Sequence, residues 1–170
     1  ANLLLTAGAT TEDRTGGTLP GRTTPDGQPY PLTQDSRRYD AGLVTEIPVE
    51  GVGKIRARAS AMTQRHRQLF GRNAETDRQN TYFGEVSFGS ESGVTNWLAG
   101  AALQADTYRS RAFPVFDYSY TVPGVFGQLE RELGEDILLA GSARLDFHND
   151  FGTRFSPRLS ALYRPGPWTI

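Results

Sequence analysis

Apolar and polar residues alternate along most of this chain. From Ile137 the odd positions (Ile137, Leu139, Gly141, Ala143, Leu145, Phe147) are apolar or small, while Ser142, Arg144, Asp146 and His148 fill even ones. A β-strand places two such sets on opposite faces. After a turn-rich break at Asn149 to Phe155, Leu159, Ala161 and Tyr163 resume the alternation against Arg158 and Ser160. The same period runs upstream through Leu3–Ala9, Tyr39–Ile47, Ile55–Ala61, Tyr82–Phe88, Trp97–Ala105 and Val125–Leu129. This predicts an all-β, antiparallel up-and-down meander of about eight to nine strands. Around QLERELGED, Val125, Leu129, Leu133 and Ile137 also fall at helical spacing. Three nearby glycines, costing about 1 kcal/mol each in a helix interior, favour strand–turn–strand.

The connections sort by length. Pro48 to Gly53, Gly89 to Gly93, Glu132 to Asp136 and Arg164 to Pro167 read as tight turns rich in Gly, Pro and acids. Between them, Thr10 to Ser36, Gln64 to Gln79, Thr107 to Thr121 and His148 to Phe155 read as polar loops, mostly long. In a meander every second connection lies on the same rim. Short turns on one rim and long loops on the other are the asymmetry of a bacterial outer-membrane barrel.

A soluble antiparallel sheet also alternates. Two features weigh against it. The apolar faces are rich in Ala and Gly, which pack a soluble core poorly, and long charged residues such as Arg56 and Arg58 recur at successive positions of the opposite face. Composition does not oppose this reading. Mean hydropathy is only −0.48, and the hydrophobic fraction is 37%, but polar lumen residues dilute the average of any barrel. No apolar run approaches the ~20 residues of a membrane helix. The net charge of −1 gives no footprint for nucleic acid. Cysteine is absent, so disulfides and thiolate metal sites are excluded. Both ends resemble cuts through a longer alternation, at Leu3 and at Trp168–Ile170.

The segment from Val122 to Pro167 resembles the barrel of TonB-dependent outer-membrane receptors. GVFGQLE leading into a strand, and GSARLDFHNDFGTRFSPRLSALYRP with its F-G and S-P-R-L core, carry the likeness. GRTTPDGQPYPLTQDSRRYDAGL and TNWLAGAALQADTY are similar to the same family, less distinctively. The resemblance implies a large barrel filled by a separate plug, in the outer membrane of a Gram-negative bacterium. Residues 1–170 would then be an internal section of the barrel domain, without plug or closing C-terminal strand. It implies active uptake of a ferric siderophore or similar iron chelate, with no enzyme activity and no cofactor. The implied partners are outer-membrane lipid, the metal chelate, and the plug and TonB complex through other parts of the receptor. A soluble β-sheet binding domain and a plug-less pore are the alternatives.

Candidate chemistry is sparse. The run Asp146 to Gly152 alternates carboxylates with His148, but its glycine is misplaced for a calcium loop and no closing Glu follows, so it reads as a polar turn. His66, between Arg65 and Arg67, reads as the edge of an exposed basic loop. No catalytic signature is present. The inward arginines Arg56, Arg58, Arg144 and Arg158 are expected to pair with nearby acids or the plug. The segment Thr107 to Thr121 is the best binding candidate. It combines Tyr108, Arg109, Arg111, Phe113, Phe116, Tyr118 and Tyr120, which together suit an anionic, partly aromatic ligand such as a ferric catecholate, with Arg109, Arg111, Tyr118 and Tyr120 as the candidate contacts. Tyr118 and Tyr120 equally fit an aromatic girdle at the membrane interface.

Overall fold

The computed structural model describes residues 1–166, apart from the side chains of residues 91 and 92. Eight strands form one antiparallel sheet in chain order. They are β1 (Asn2–Gly17), β2 (Pro31–Val49), β3 (Gly53–Phe70), β4 (Asn73–Ser92), β5 (Thr95–Ser110), β6 (Tyr118–Leu133), β7 (Ile137–His148) and β8 (Gly152–Tyr163). A 3-10 turn at Pro114–Phe116 interrupts the β5–β6 connection. The meander and the strand–turn–strand reading of QLERELGED are both present, with β6 and β7 paired from Leu133↔Ile137 to Gly124↔Asp146. The expected Arg164–Pro167 turn is described only as far as Gly166, and Trp168–Ile170 lie outside the described residues.

Register converts the one-strand pattern into two continuous faces. One rung runs Leu5, Leu43, Ala59, Gly84, Leu103 and Pro123. A neighbouring one joins Ala57, Val86, Ala101, Val125, Leu145 and Phe155. Val86 and Leu103 are each 51% exposed and Leu159 is 88% exposed, an arrangement stable only against lipid. The opposite face carries Glu46, Arg56, Arg58, Glu85, Arg144 and Asp146. Among the described residues the five buried side chains (Ser36, Asp77, Ser87, Ala102 and Ser110) all belong to this polar face, as expected of the concave side of a barrel wall. The polar face is therefore the lumen face.

The strands are longer than the apolar alternation suggests. The segment Gln64–Gln79, expected as a loop, is the end of β3, a two-residue turn at Gly71–Arg72 and the start of β4, paired up to Phe70↔Asn73. Thr10–Ser36 likewise contains the paired ends of β1 and β2, up to Gly17↔Pro31. On the opposite rim β4 continues past the expected Gly89–Gly93 turn to Ser92. At 16 to 20 residues, β1 to β6 exceed the ~9–11 that cross a bilayer. Their excess projects beyond the rim that also carries residues 18–30 and 111–117. By the loop-length rule this rim faces outside, and residues 50–52, 93–94 and 134–136 face the periplasm.

Candidate functional site

The outer rim of the lumen face collects aromatic side chains. Alternation from Ala105 sets Tyr108 inward, and register places it opposite Tyr118, with Tyr120 opposite Asp106. The rings of Tyr108 and Tyr118 stack with centroids 5.7 Å apart, and Tyr118 stacks on Tyr120 at 4.6 Å. His148 and Phe151, at the β7–β8 turn, lie 5.0 and 5.6 Å from the Tyr120 ring. The turn is tied down because the Thr121 N–H donates to Asn149 Oδ1, and Asn149 Nδ2 donates to the Ser119 carbonyl. Three tyrosines thus form a shelf with a turn at its end. Their place on the lumen face corrects the girdle reading of Tyr118 and Tyr120.

Carboxylates surround the shelf. Tyr118 Oη lies 3.5 Å from Asp106 Oδ1, and Ser110 Oγ lies 3.4 Å from Glu75 Oε1. Buried Asp77 meets His66 Nδ1 at 2.8 Å, and Gln64 Nε2 lies 2.8 Å from His66 Nε2. His66 is therefore a half-buried member of a lumen network and not the edge of an exposed loop. Sequence reasoning missed His148, Phe151 and the His66–Asp77 pair as neighbours of the site, because finding them needs the register between strands.

The two arginines expected beside these tyrosines lie elsewhere. Arg109 has the opposite parity to Tyr108 and sits opposite Arg78 on the outward face. Its Nη1 donates to the Tyr118 carbonyl at 2.9 Å and the Tyr108 carbonyl at 3.1 Å,, so it clamps the β5–β6 backbone. Arg111 begins the loop, its backbone N–H donating to the Thr76 carbonyl, with an exposed side chain. Deeper in the lumen the pairing of inward arginines holds for three of four. Arg56 reaches Glu46 at 3.0 Å, Arg58 reaches Glu85 at 2.8 Å, and Arg144 reaches Asp146 at 2.7 Å. Arg158 stands opposite Ser142 and makes no ion pair among the described residues. In the β1–β2 loop, the Thr24 hydroxyl and the Gln28 backbone N–H hold the Asp26 carboxyl below its ordinary 3.8.

A meander with a lipid-facing band, a charged lumen face and long loops on one rim is the wall of a transmembrane β-barrel. The sequence matches the family model described as TonB dependent receptor-like, beta-barrel, over residues 3–170, and the chain belongs to that family. No curated protein matches the sequence. The fold is similar to the crystal structure of the siderophore receptor PirA from Pseudomonas aeruginosa, with a TM-score of 0.66 and 20% identity. The match covers 98% of this chain and 35% of that one, so the chain spans about a third of that receptor's length. Membership places the chain in the outer membrane of a Gram-negative bacterium.

Proposed function

We propose that this section of wall serves a receptor that takes up an iron chelate, and that Tyr108, Tyr118 and Tyr120 are its contacts here. The supporting observation is the stacked shelf on the lumen face beneath the outer loops. Flat, preordered rings offer a ligand large contact area at little entropic cost. In this proposal residues 1–170 are a partial barrel domain. The plug, and the contacts with the inner-membrane TonB complex that drives release into the periplasm, lie in other parts of the receptor.

The charge around the shelf narrows the chelate. Asp77, Asp106 and Glu75 share its face, whereas Arg109 lies on the other side of the sheet. A trianionic ferric catecholate would meet carboxylates at this rim; a neutral or cationic chelate, such as a ferric hydroxamate, would meet complementary charge. Binding to the purified full-length receptor in detergent, followed by quenching of intrinsic fluorescence, tests this. Tyr118→Ala and Tyr120→Ala should each weaken a ferric tris-hydroxamate roughly two- to tenfold, the range of one aromatic contact. Tighter binding of a ferric tris-catecholate, unchanged by either substitution and lost in Arg109→Ala, would sink the reading.

A further inference from the structure

The register sets four arginines in one row on the outward face. Arg37 stands opposite Arg65, Arg65 opposite Arg78, and Arg78 opposite Arg109, across β2 to β5. All four side chains are exposed. At ~4.8 Å between strands the row is roughly 14 Å wide. Like charges placed directly opposite one another destabilise a sheet pair, so three such pairs in succession call for an external counter-charge. The protein supplies little of it. Arg37 lies 3.5 Å from Asp35 and Arg109 lies 3.9 Å from Asp117. The side chains of Arg65 and Arg78 make no hydrogen bond or ion pair among the described residues. Of the other acids near this level, Asp13 lies opposite Asp35 one rung further out, on the same face as Arg67, and Glu75, Asp77 and Asp106 are on the lumen side.

Height on the wall identifies the partner. Tyr82 belongs to the rung of Ala41, Ala61 and Ala105, at the upper limit of the apolar band. The next rung outward carries Tyr39, Thr63, Asn80 and Thr107, and the arginines form the one after it. Each rung is about 6.6 Å along the strand. Interfacial tyrosines mark where acyl chains give way to headgroups, so the arginine row lies at headgroup depth on the outside. Guanidinium forks match phosphate oxygens two at a time.

We propose that the row Arg37–Arg65–Arg78–Arg109 binds the phosphorylated headgroup of the glycolipid that forms the outer leaflet. The test uses the purified full-length receptor in detergent, titrated with diphosphorylated lipid A and with its dephosphorylated form, retained lipid being counted by native mass spectrometry. Wild type should prefer the diphosphorylated form. In Arg65→Gln/Arg78→Gln that preference should fall roughly ten- to thirty-fold, from about a three- to fivefold effect for each of the two surface cations. Arg158→Gln, a lumen-face control, should leave it unchanged, and the melting temperature of each variant reports folding. Should the double variant be unstable, Arg37→Gln/Arg109→Gln reads the two ends of the row in the same way. Equal retention in wild type and both double variants, an equal loss in Arg158→Gln, or complete displacement of lipid by millimolar inorganic phosphate would each overturn the proposal.

Discussion

At the scale of single residues, the lumen face is held by close approaches as much as by ion pairs. Gly100 on β5 lies under the Phe126 ring, and the Arg144 guanidinium lies 5.7 Å from the centre of that same ring. A Cβ at position 100 would come within 2.5 Å of Phe126 Cζ and 2.6 Å of the Val86 carbonyl oxygen. The ring can swing away but the backbone oxygen cannot, so Gly100→Ala forces β4 and β5 apart. It should destabilise the receptor by about 1–3 kcal/mol, the range for overpacking. Loss of heat-resistant electrophoretic mobility at a lower temperature than wild type would register this. Unchanged resistance would mean that the sheet relaxes freely at this point.

At the scale of elements, alternation revealed which faces exist but not how far the strands run. Within the membrane, Ala57, Ala59 and Ala61 contrast with Arg56, Arg58 and Ser60, and the period is plain. Beyond it, Gln64–Gln79 is polar on both faces, so no hydrophobic signal separates strand from loop. The ladder from Gln64↔Gln79 to Phe70↔Asn73 is sustained there by backbone hydrogen bonds, and the turn by Gly71 at φ +63°, a conformation glycine adopts without cost at the first position of a two-residue hairpin loop. The same blindness affected the proposed ligand contacts. Tyr118 and Tyr120 were legible as aromatic residues, and Arg109 as a cation beside them, but only parity carried through the end of β5 divides them between faces. The sidedness of the wall makes a prediction at this scale. Val86→Arg, on the lipid face two rungs below Tyr82, should cost about 2–4 kcal/mol. Gln104→Arg, one strand away on the lumen face, should cost little. Urea titration of the receptor refolded in vesicles would separate them, and equal effects would contradict the assignment of faces.

At the scale of the molecule, the sheet has an apolar band on one side and two unpaired edges, β1 and β8, among the described residues. Neither feature is compatible with an isolated soluble domain. Residues 1–170 expressed alone should therefore sediment as large assemblies in plain buffer and become disperse only in detergent. A monomeric, cooperatively unfolding species in buffer would require the band to be a covered core. The family was legible in the sequence because GVFGQLE and the β7–β8 hairpin are distinctive. The proposed cargo was not, since that proposal rests on which charges share the shelf's face, a property of register across several strands.

Among the described residues each strand touches only the strands before and after it in the chain. No contact in this wall waits for a distant segment to arrive, so its loop-closure entropy is low and it can grow by adding one hairpin to an existing edge. An edge already in place serves as template for the next strand, with the two- and three-residue turns setting its register. The same hazard that would aggregate an isolated sheet then becomes the growing end of an ordered assembly. Modular growth of this kind also means that a hairpin could be gained or lost without re-threading the remainder.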